Sequence, residues 1–304
     1  MGIEVQSLKL LLLARQLGVD FDQTLTIGHQ DILLRESEAR SVFARFGYPV
    51  SGGEVGDLIG ADDRFSGAIF RKLGAQSLDF LDISDFEGAT LIHDLNTPLP
   101  RSMHEQFSVV FDGGTLEHVF STATALQSYM ALPRVGGHLI LAVPANNEMG
   151  HGFFQFSPEL FFRTLTEANG FSIVGMFVAP LYVDADWLEV RDPAHIGGRV
   201  GHNASHRATY LFVIAHKIAP SNGWAAVPVQ SDYASEWQAG AKPTSGHGVS
   251  ASVRIKRTLR RFVPELLLQV RAVRAQPDPR AFRRFTPGGT KSVALRSDAE
   301  PLPE

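Results

Sequence analysis

The chain has 304 residues, of which 44% are hydrophobic and 20% are charged, and its formal net charge is −4. This composition excludes a wholly disordered or fibrous protein. The sequence contains no cysteine, which excludes disulfides, thiolate metal sites, iron–sulfur clusters and cysteine nucleophiles.

The charge is distributed unevenly along the chain. Residues 251–304 contain 12 Lys or Arg and 5 Asp or Glu, whereas residues 1–250 contain 16 basic and 27 acidic residues. Residues 1–250 therefore form an acidic part and residues 251–304 a basic tail, predicted to be helical or disordered. Within the acidic part, we expect one domain over residues 1–219 and a Gly-, Ser-, Ala- and Pro-rich linker over residues 220–250.

No part of the sequence predicts export or membrane insertion. The apolar run at residues 10–13 is short and Arg15 follows it, and no stretch approaches the roughly 18 apolar residues that a membrane span needs. We therefore expect a cytoplasmic protein.

Apolar spacing in the first quarter of the chain predicts a strand at residues 24–27, which ends at Gly28. Helical spacing is found at residues 7–17, 37–46 and 64–73. Residues 49–56 contain Pro49 and several glycines and are predicted to be a loop.

From residue 77 onward, short apolar runs alternate with helical patterns. The predicted strands are residues 77–81, 90–93, 107–111, 138–143, 171–178 and 209–216, and the predicted helices are residues 115–132 and 157–170. This alternation indicates an α/β fold with a mostly parallel sheet covered on both faces, whose last two strands pair antiparallel.

Ligands of such sheets bind outside the carboxyl ends of the strands. Three predicted strands are followed by an acidic residue, namely Asp82, Asp94 and Asp112. The carboxylate of Asp82 can accept both hydroxyls of a ribose, and Asp94 with its neighbouring backbone can bind an adenine edge. The alternative for both is an ordinary cap or turn aspartate.

Two histidines are candidates for a general base, because imidazole titrates near neutral pH. His118 follows the strand that ends at Asp112, and His151 lies between Gly150 and Gly152 after the next strand. A capping role for His118 and a loop position without function for His151 are the alternatives.

Three further histidines invite a metal interpretation, namely His195, His202 and His206. His202 and His206 have helical spacing, but Gly201 and Asn203 indicate a loop, and no acidic residue stands in register with them. We therefore expect no metal site.

The motifs resemble those of the class I S-adenosylmethionine-dependent methyltransferases. The runs LDISDFEGATLIHDLNTPLP at residues 81–100, FSVVFDGGTLEHV at residues 107–119 and GGHLILAVP at residues 136–144 look like successive motifs of that family. GHGFFQFSPELF, residues 150–161, is similar to a bacterial methyltransferase-like group. The resemblance implies a three-layer, Rossmann-like fold with a seven-stranded, mostly parallel sheet.

The first motif departs from this pattern. The family has several glycines after the first strand, whereas this chain has only Gly28, followed by His29 and Gln30. Either these two side chains replace backbone contacts to the cofactor, or the cofactor site is altered or lost.

The resemblance implies S-adenosylmethionine as the cofactor. The corresponding contacts are assigned by position to Gly28, Asp82, Asp94, Leu95, Asp112 and Gly113. His118 or His151 would then be the base for methyl transfer to an oxygen or nitrogen of a small-molecule or glycan acceptor. The alternative is a catalytically inactive binding or scaffolding protein of the same fold, which the altered Gly28 loop favours. An oxidoreductase is disfavoured because GxGxxG is missing.

The basic tail interleaves arginines and lysines with apolar residues over 251–274. Such a segment is typical of contact with an anionic membrane surface, which would place the protein peripherally at the inner face of the membrane. Packing of this helix on the body is the alternative. Nucleic acid is disfavoured as a partner because the acidic body would repel phosphates.

Overall fold

The computed structural model describes residues 2–60, 64–196, 207–221, 223–238 and 278–288. The strands are β1 (Gly2–Ile3), β2 (Gln23–Ile27), β3 (Asp31–Ile32), β4 (Ser77–Asp82), β5 (Leu91–Ile92), β6 (Phe107–Asp112), β7 (Pro133–Asn146), β8 (Phe171–Pro180), β9 (Trp187–Val190), β10 (Thr209–Lys217) and β11 (Phe282–Phe285). The helices are α1 (Val5–Gln16), α2 (Glu36–Arg45), α3 (Gly52–Ile59), α4 (Gly67–Leu73), α5 (Thr122–Ala131), α6 (Pro158–Thr164) and α7 (Ser231–Gln238).

The described strands, apart from β1 and β3, form one nine-stranded sheet in the order β11-β9-β8-β10-β7-β6-β2-β4-β5. Strands β7, β6, β2, β4 and β5 are parallel, and β10, β8, β9 and β11 continue the sheet with antiparallel pairs. The predicted α/β class and the antiparallel pairing of β8 with β10 are confirmed. The prediction of a seven-stranded, mostly parallel sheet is wrong, because the sheet is mixed and wider.

Aromatic packing holds β9 and β11, the two strands beyond the predicted seven, against the rest of the sheet. Phe285 of β11 lies 4.7 Å from Phe177 of β8 between ring centroids, and Trp187 of β9 lies 5.3 Å from Phe177. The sequence pattern predicts a helical or disordered tail at the end of the chain, but residues 282–285 pair with β9 and bury Phe282. The tail therefore covers the edge of the sheet at this point.

The sheet has a hydrophobic core on each face. Along β6, Val109 and Phe111 pack with α1 to α4 on one face, whereas Val110 packs with α5 on the other. This alternation gives every residue of β6 a buried environment, as expected for a central parallel strand. The protein is thus a three-layer, Rossmann-like α/β fold.

Three predicted segments differ in the structure. Residues 49–56 were predicted to be a loop but overlap α3, because Ser51 caps the helix by accepting the Glu54 N–H at 3.3 Å and Val55 is buried. The predicted helix over 115–132 is divided into a short turn and α5. The predicted linker 220–250 contains α7, and the basic segment 251–274 lies outside the described residues.

In the described part of the chain, no helix is both long and apolar enough to cross a membrane.

A pair of histidines joins β7 to β10 near the amino end of the parallel strands. His138 and His216 are cross-strand partners, and their rings stack with centroids 4.7 Å apart. Burial and the neighbouring His216 lower the pKa of His138 to about 4. The pair therefore favours the uncharged imidazole of His138 in the folded chain.

This pair makes stability depend on pH. The pKa of His138 is lower in the folded chain than the value of about 6.5 expected after unfolding, so its contribution is fully present above pH 6.5 and is lost as the pH falls towards 4. We expect the free energy of unfolding to fall by about 1–2 kcal/mol from this group between about pH 7.5 and pH 4.5. Urea denaturation of the wild type and of His138→Gln at both pH values measures this change in the free energy of unfolding. Equal pH dependence in the two proteins would contradict the prediction.

Candidate functional site

The carboxyl ends of β4, β2 and β6 meet at one edge of the sheet, which we call the carboxyl edge. Ile27, the last residue of β2, is in register with Leu81 of β4 and with Asp112 of β6. Chain order reverses between β2 and β6, and ligands of doubly wound sheets bind at such a point. Gly28, Asp82 and Asp112 therefore lie at this edge, and Asp94 follows the adjacent strand β5.

Asp112 is fully buried and bound by the backbone that follows it. Its Oδ1 accepts the N–H groups of Gly114 at 2.9 Å and Thr115 at 2.7 Å, and its Oδ2 accepts the N–H of Leu116 at 3.1 Å. These bonds cap the 3₁₀ turn Leu116–His118. The side chain thus has a structural role that its position after a strand did not by itself predict.

Asp82 and Asp94 are more accessible than Asp112. Asp82 is half-buried, and its Oδ1 accepts the N–H of Ile83 at 2.6 Å. Asp94 Oδ1 accepts both the N–H and the side-chain amide of Asn96 at 2.9 Å, and these bonds lower the pKa of Asp94. Leu95 is buried beneath this turn. Each of these two carboxylates therefore keeps its Oδ2 without a hydrogen bond from the described residues.

The loop after β2 is filled by side chains rather than by glycines. Gly28 has φ +73°, and its N–H donates to Leu81 O at 2.8 Å. The ring of His29 stacks on Phe65 with centroids 3.5 Å apart and lies 3.9 Å from that of Phe80. Side chains therefore replace the missing glycines at this position.

Gln30 is fully buried beneath the same loop. Its Nε2 donates to Ile27 O at 2.7 Å, which fixes the orientation of the amide because a carbonyl only accepts. Its Oε1 has no hydrogen-bond partner among the described residues. This oxygen lies where a side chain at Gly113 would project, so Gly113 is the residue that leaves room for it.

A second group of side chains lies at the ends of β6 and β7. We call Glu117, His118 and His151 the Glu117 cluster, since each offers a nitrogen or oxygen atom within 4.8 Å of the others. The rings of His118 and His151 are 4.9 Å apart edge to face, and His151 Nε2 is 3.4 Å from Glu117 Oε1. The sequence-predicted bases are therefore neighbours.

The backbone fixes the two segments that carry this cluster. The N–H of Phe153 donates to Glu117 O at 2.7 Å, which ties the 147–156 loop to the turn after β6. Gly152 has φ +74°, and a Cβ there would lie 2.7 Å from the same carbonyl oxygen. Only glycine allows this close approach without a shift of the backbone.

Glu117 is fully buried, and neither of its carboxylate oxygens has a hydrogen-bond partner in the described ranges. Burial and the nearby Asp112 raise the pKa of Glu117 to about 8. Burial raises the pKa of Asp112 as well, but its three N–H bonds favour its charged form, so Glu117 is the member of this pair that more readily holds a proton at neutral pH. Burial and His151 lower the pKa of His118, which leaves that imidazole neutral.

The sequence pattern names Gln30 with His29 as a replacement for the missing glycines, but it assigns no role to Glu117, which stands next to the candidate base His118. The signal available in the sequence was a polar residue next to the end of an apolar strand. Its burial follows from contacts across the sheet, which the sequence pattern does not specify.

A cavity of about 440 Å³ opens beside the 147–156 loop. Its wall includes Asn146 at the end of β7, Gln155 and Phe156 of the loop, and Phe282 of β11. Arg191 adds a positive charge to a largely apolar lining. The loop thus carries His151 near its middle and forms the wall of the cavity at its end.

The described residues do not form a cluster of His195, His202 and His206, the three histidines considered above as metal ligands. His195 lies in the 3₁₀ turn Pro193–Ile196, whereas His202 and His206 fall outside the described residues.

No protein-family model and no curated protein matches the chain. Solved structures do match. A 1,6-didemethyltoxoflavin-N1-methyltransferase of Burkholderia thailandensis, with bound S-adenosylhomocysteine, is 14% identical over 71% of this chain and 79% of that chain, with a TM-score of 0.36. A branched-chain polyamine synthase of Thermus thermophilus, in complex with 5′-methylthioadenosine, is 13% identical over 76% and 62% of the two chains, with a TM-score of 0.35.

A 16S rRNA (adenine(1408)-N(1))-methyltransferase of Catenulisporales acidiphilia is 13% identical over 72% of this chain and 96% of that chain, with a TM-score of 0.31. Two of these three solved structures are methyltransferases, the family that the motifs of this chain resemble. The names of these proteins indicate different acceptors, and at these TM-scores the likeness transfers no activity to this chain.

The environments of Asp112 and Asp94 predict different effects on stability. Asp112→Ala leaves three buried N–H groups without an acceptor, and we expect a loss on the order of 3 kcal/mol in the free energy of unfolding. Asp94→Ala, in an accessible turn, is the matched control and should cost less than about 1 kcal/mol. Urea denaturation at neutral pH measures both. Equal losses would show that Asp112 does not act as the cap.

Proposed function

We propose that the protein is an S-adenosylmethionine-dependent methyltransferase that acts on an oxygen or nitrogen of a small-molecule acceptor. The observation that supports this most directly is the combination found at the carboxyl edge. There, an available oxygen of Asp82, the unpartnered oxygen of Gln30 and the histidines of the Glu117 cluster follow four neighbouring strands.

The side chains at β4 and β2 are suited to the adenosyl ligand. Oδ2 of Asp82 makes no hydrogen bond to the described residues and can accept ribose hydroxyls. The buried Oε1 of Gln30 lacks a donor, and the ammonium group of the methionine portion has three. A buried acceptor without a partner is costly, so a ligand gains affinity when the loop after β2 shifts enough for the ligand to donate to this oxygen.

The histidines at β6 and β7 can assist the acceptor. S-adenosylmethionine, when bound, supplies an electrophilic methyl group. The neutral imidazole of His118 can take a proton from an acceptor oxygen or nitrogen, and His151 lies beside it. The chain's further contribution is alignment, which Gly152 and the Phe153 bond maintain by fixing the loop.

The cavity beside the 147–156 loop has the size of a small-molecule site. Its apolar lining with Arg191, Glu159 and Asp232 at the wall suits a compact acceptor with a few polar groups. The 147–156 loop carries His151 and contributes Gln155 and Phe156 to the cavity wall, whereas His118 and His151 themselves are not part of the lining. An acceptor held in the cavity would therefore have to extend along this loop to reach the two histidines.

A binding or scaffolding protein without catalysis is the second candidate. The stacking of His29 between Phe65 and Phe80 favours it, because these rings fill space next to the end of β4. A protein of this kind would retain the fold and the loops and would not bind the cofactor.

Calorimetric titration separates the two functions. We expect wild-type protein to bind S-adenosylhomocysteine and 5′-methylthioadenosine, which lacks the amino-acid portion. Asp82→Ala should weaken both ligands by at least about tenfold, because each loses bonds to a charged acceptor. Asp85→Ala, in the same turn, is the control and should change neither.

Gln30→Met tests the other end of the ligand. Ile27 O keeps a second donor in Thr115 Oγ1 at 3.1 Å, so the variant leaves this carbonyl paired. We expect about tenfold weaker binding of S-adenosylhomocysteine and unchanged binding of 5′-methylthioadenosine. Absence of heat with both ligands in the wild type would reject the enzyme and favour the scaffold.

A further inference from the structure

We propose that Glu117, His118 and His151 bind a divalent transition-metal ion. Two imidazoles and one carboxylate are a common ligand set for zinc, iron, cobalt and manganese ions. The binding of the ion does not depend on the proposed methyltransferase function, whereas the role of the ion towards an acceptor does.

The separation of the ligand atoms fits an ion. Ligands that lie about 2.1 Å from a metal are roughly 3.4 Å from each other in a tetrahedral site. Oε1 of Glu117 is 3.4 Å from Nε2 of His151, and the available atoms of all three side chains lie within 4.8 Å of one another.

The state of Glu117 is an independent observation that points to a ligand. Its side chain is 0% exposed, and both carboxylate oxygens lack a hydrogen-bond partner in the described part of the chain. A buried carboxyl group without partners is rare, because its desolvation is not offset. An ion held by one of these oxygens and the two histidines supplies the missing interaction.

The surrounding backbone holds the ligands in place before any ion binds. The cap formed by Asp112 fixes the turn that carries Glu117 and His118, and the bond from Phe153 N–H to Glu117 O fixes the loop that carries His151. Ligands from two segments that are tied together lose little conformational entropy on binding.

The site is open on one side. His118 is exposed and His151 is half-buried, so the remaining coordination positions face solvent. Three protein ligands with an open position are typical of catalytic metal sites, whereas structural zinc sites use four protein ligands. If the proposed function holds, the ion would take over the activation of the acceptor from His118, whose ligating nitrogen can no longer accept a proton. An acceptor oxygen in the open position would be polarised by the ion and would lose its proton to solvent more readily.

Metal binding by the full-length chain tests the proposal without an activity assay. The protein is treated with a chelator, dialysed, and titrated with Co²⁺ followed by visible absorption and with Zn²⁺ followed by calorimetry. We expect one ion for each chain and d–d absorption bands typical of nitrogen and oxygen ligands.

Three variants remove one ligand each, namely Glu117→Gln, His118→Ala and His151→Ala. Each should weaken Zn²⁺ binding by at least about 100-fold, because loss of an outer-shell partner alone costs about 10- to 100-fold. His104→Ala removes a histidine from outside the cluster and is the matched control with unchanged affinity. Circular dichroism melts verify folding, and the two histidine variants keep the test valid if Glu117→Gln does not fold.

Unchanged Zn²⁺ binding in His118→Ala and His151→Ala, or no binding by the wild type, would overturn the proposal. Titration of the same preparations with S-adenosylhomocysteine distinguishes this failure from failure of the proposed function. Cofactor binding without metal binding rejects only the ion, whereas metal binding without cofactor binding rejects only the methyltransferase.

Discussion

The buried carboxylate of Asp112 determines the geometry of the whole candidate site. It closes the chain into a turn at the end of β6 by accepting three successive N–H groups. This turn directs Glu117 inward and His118 outward, and it presents Glu117 O to the loop after β7. The position of His151 therefore depends on Asp112, which lies five residues before Glu117 in the sequence. Both oxygens of Asp112 already accept backbone N–H groups.

Glu117 and Asp112 are neighbouring buried carboxyl groups, so the charge of one disfavours the charge of the other. Two buried carboxyl groups cannot both be charged without a compensating group, and the N–H bonds make Asp112 the one that keeps its charge. Burial raises the pKa of the neighbouring Tyr129 phenol, and the charge of Asp112 raises it further. Glu117 consequently needs either a proton or a cation, and an imidazole nitrogen of each histidine lies within 4.8 Å of one of its carboxylate oxygens.

The sequence predicted the parallel half of the sheet better than the remainder. Strands β2, β4 and β6 are short apolar runs that end in glycine or aspartate, and their positions could be read directly. Strands β9 and β11 could not, because Trp187 and Phe285 pair with each other and pack on Phe177 only in the folded sheet. Helix α3 was not predicted, because its glycines indicated a loop although Ser51 is a favourable N-cap residue.

The same limit applies to the site. The residues that follow strands, such as Asp82 and His118, could be identified because strand ends are visible in the pattern. Whether the side chain can bind a ligand depends on how many backbone N–H groups it already accepts and on packing across the sheet. Both oxygens of Asp112 accept N–H groups, whereas only Oδ1 of Asp82 does. Gln30 and Glu117 acquire their significance from a missing partner, which is a property of the fold and not of the sequence.

The altered loop after β2 also restricts the class of ligand. Glycine-rich loops at this position bind phosphates because they present backbone N–H donors. Here the buried Gln30 presents an acceptor, and Asp82 and Asp94 add carboxylates to the same edge. An edge rich in acceptors repels the pyrophosphate of a dinucleotide and attracts hydroxyl, ammonium and sulfonium groups. The replacement of glycine by His29 and Gln30 therefore disfavours a dinucleotide-dependent oxidoreductase more strongly than it disfavours an adenosyl ligand.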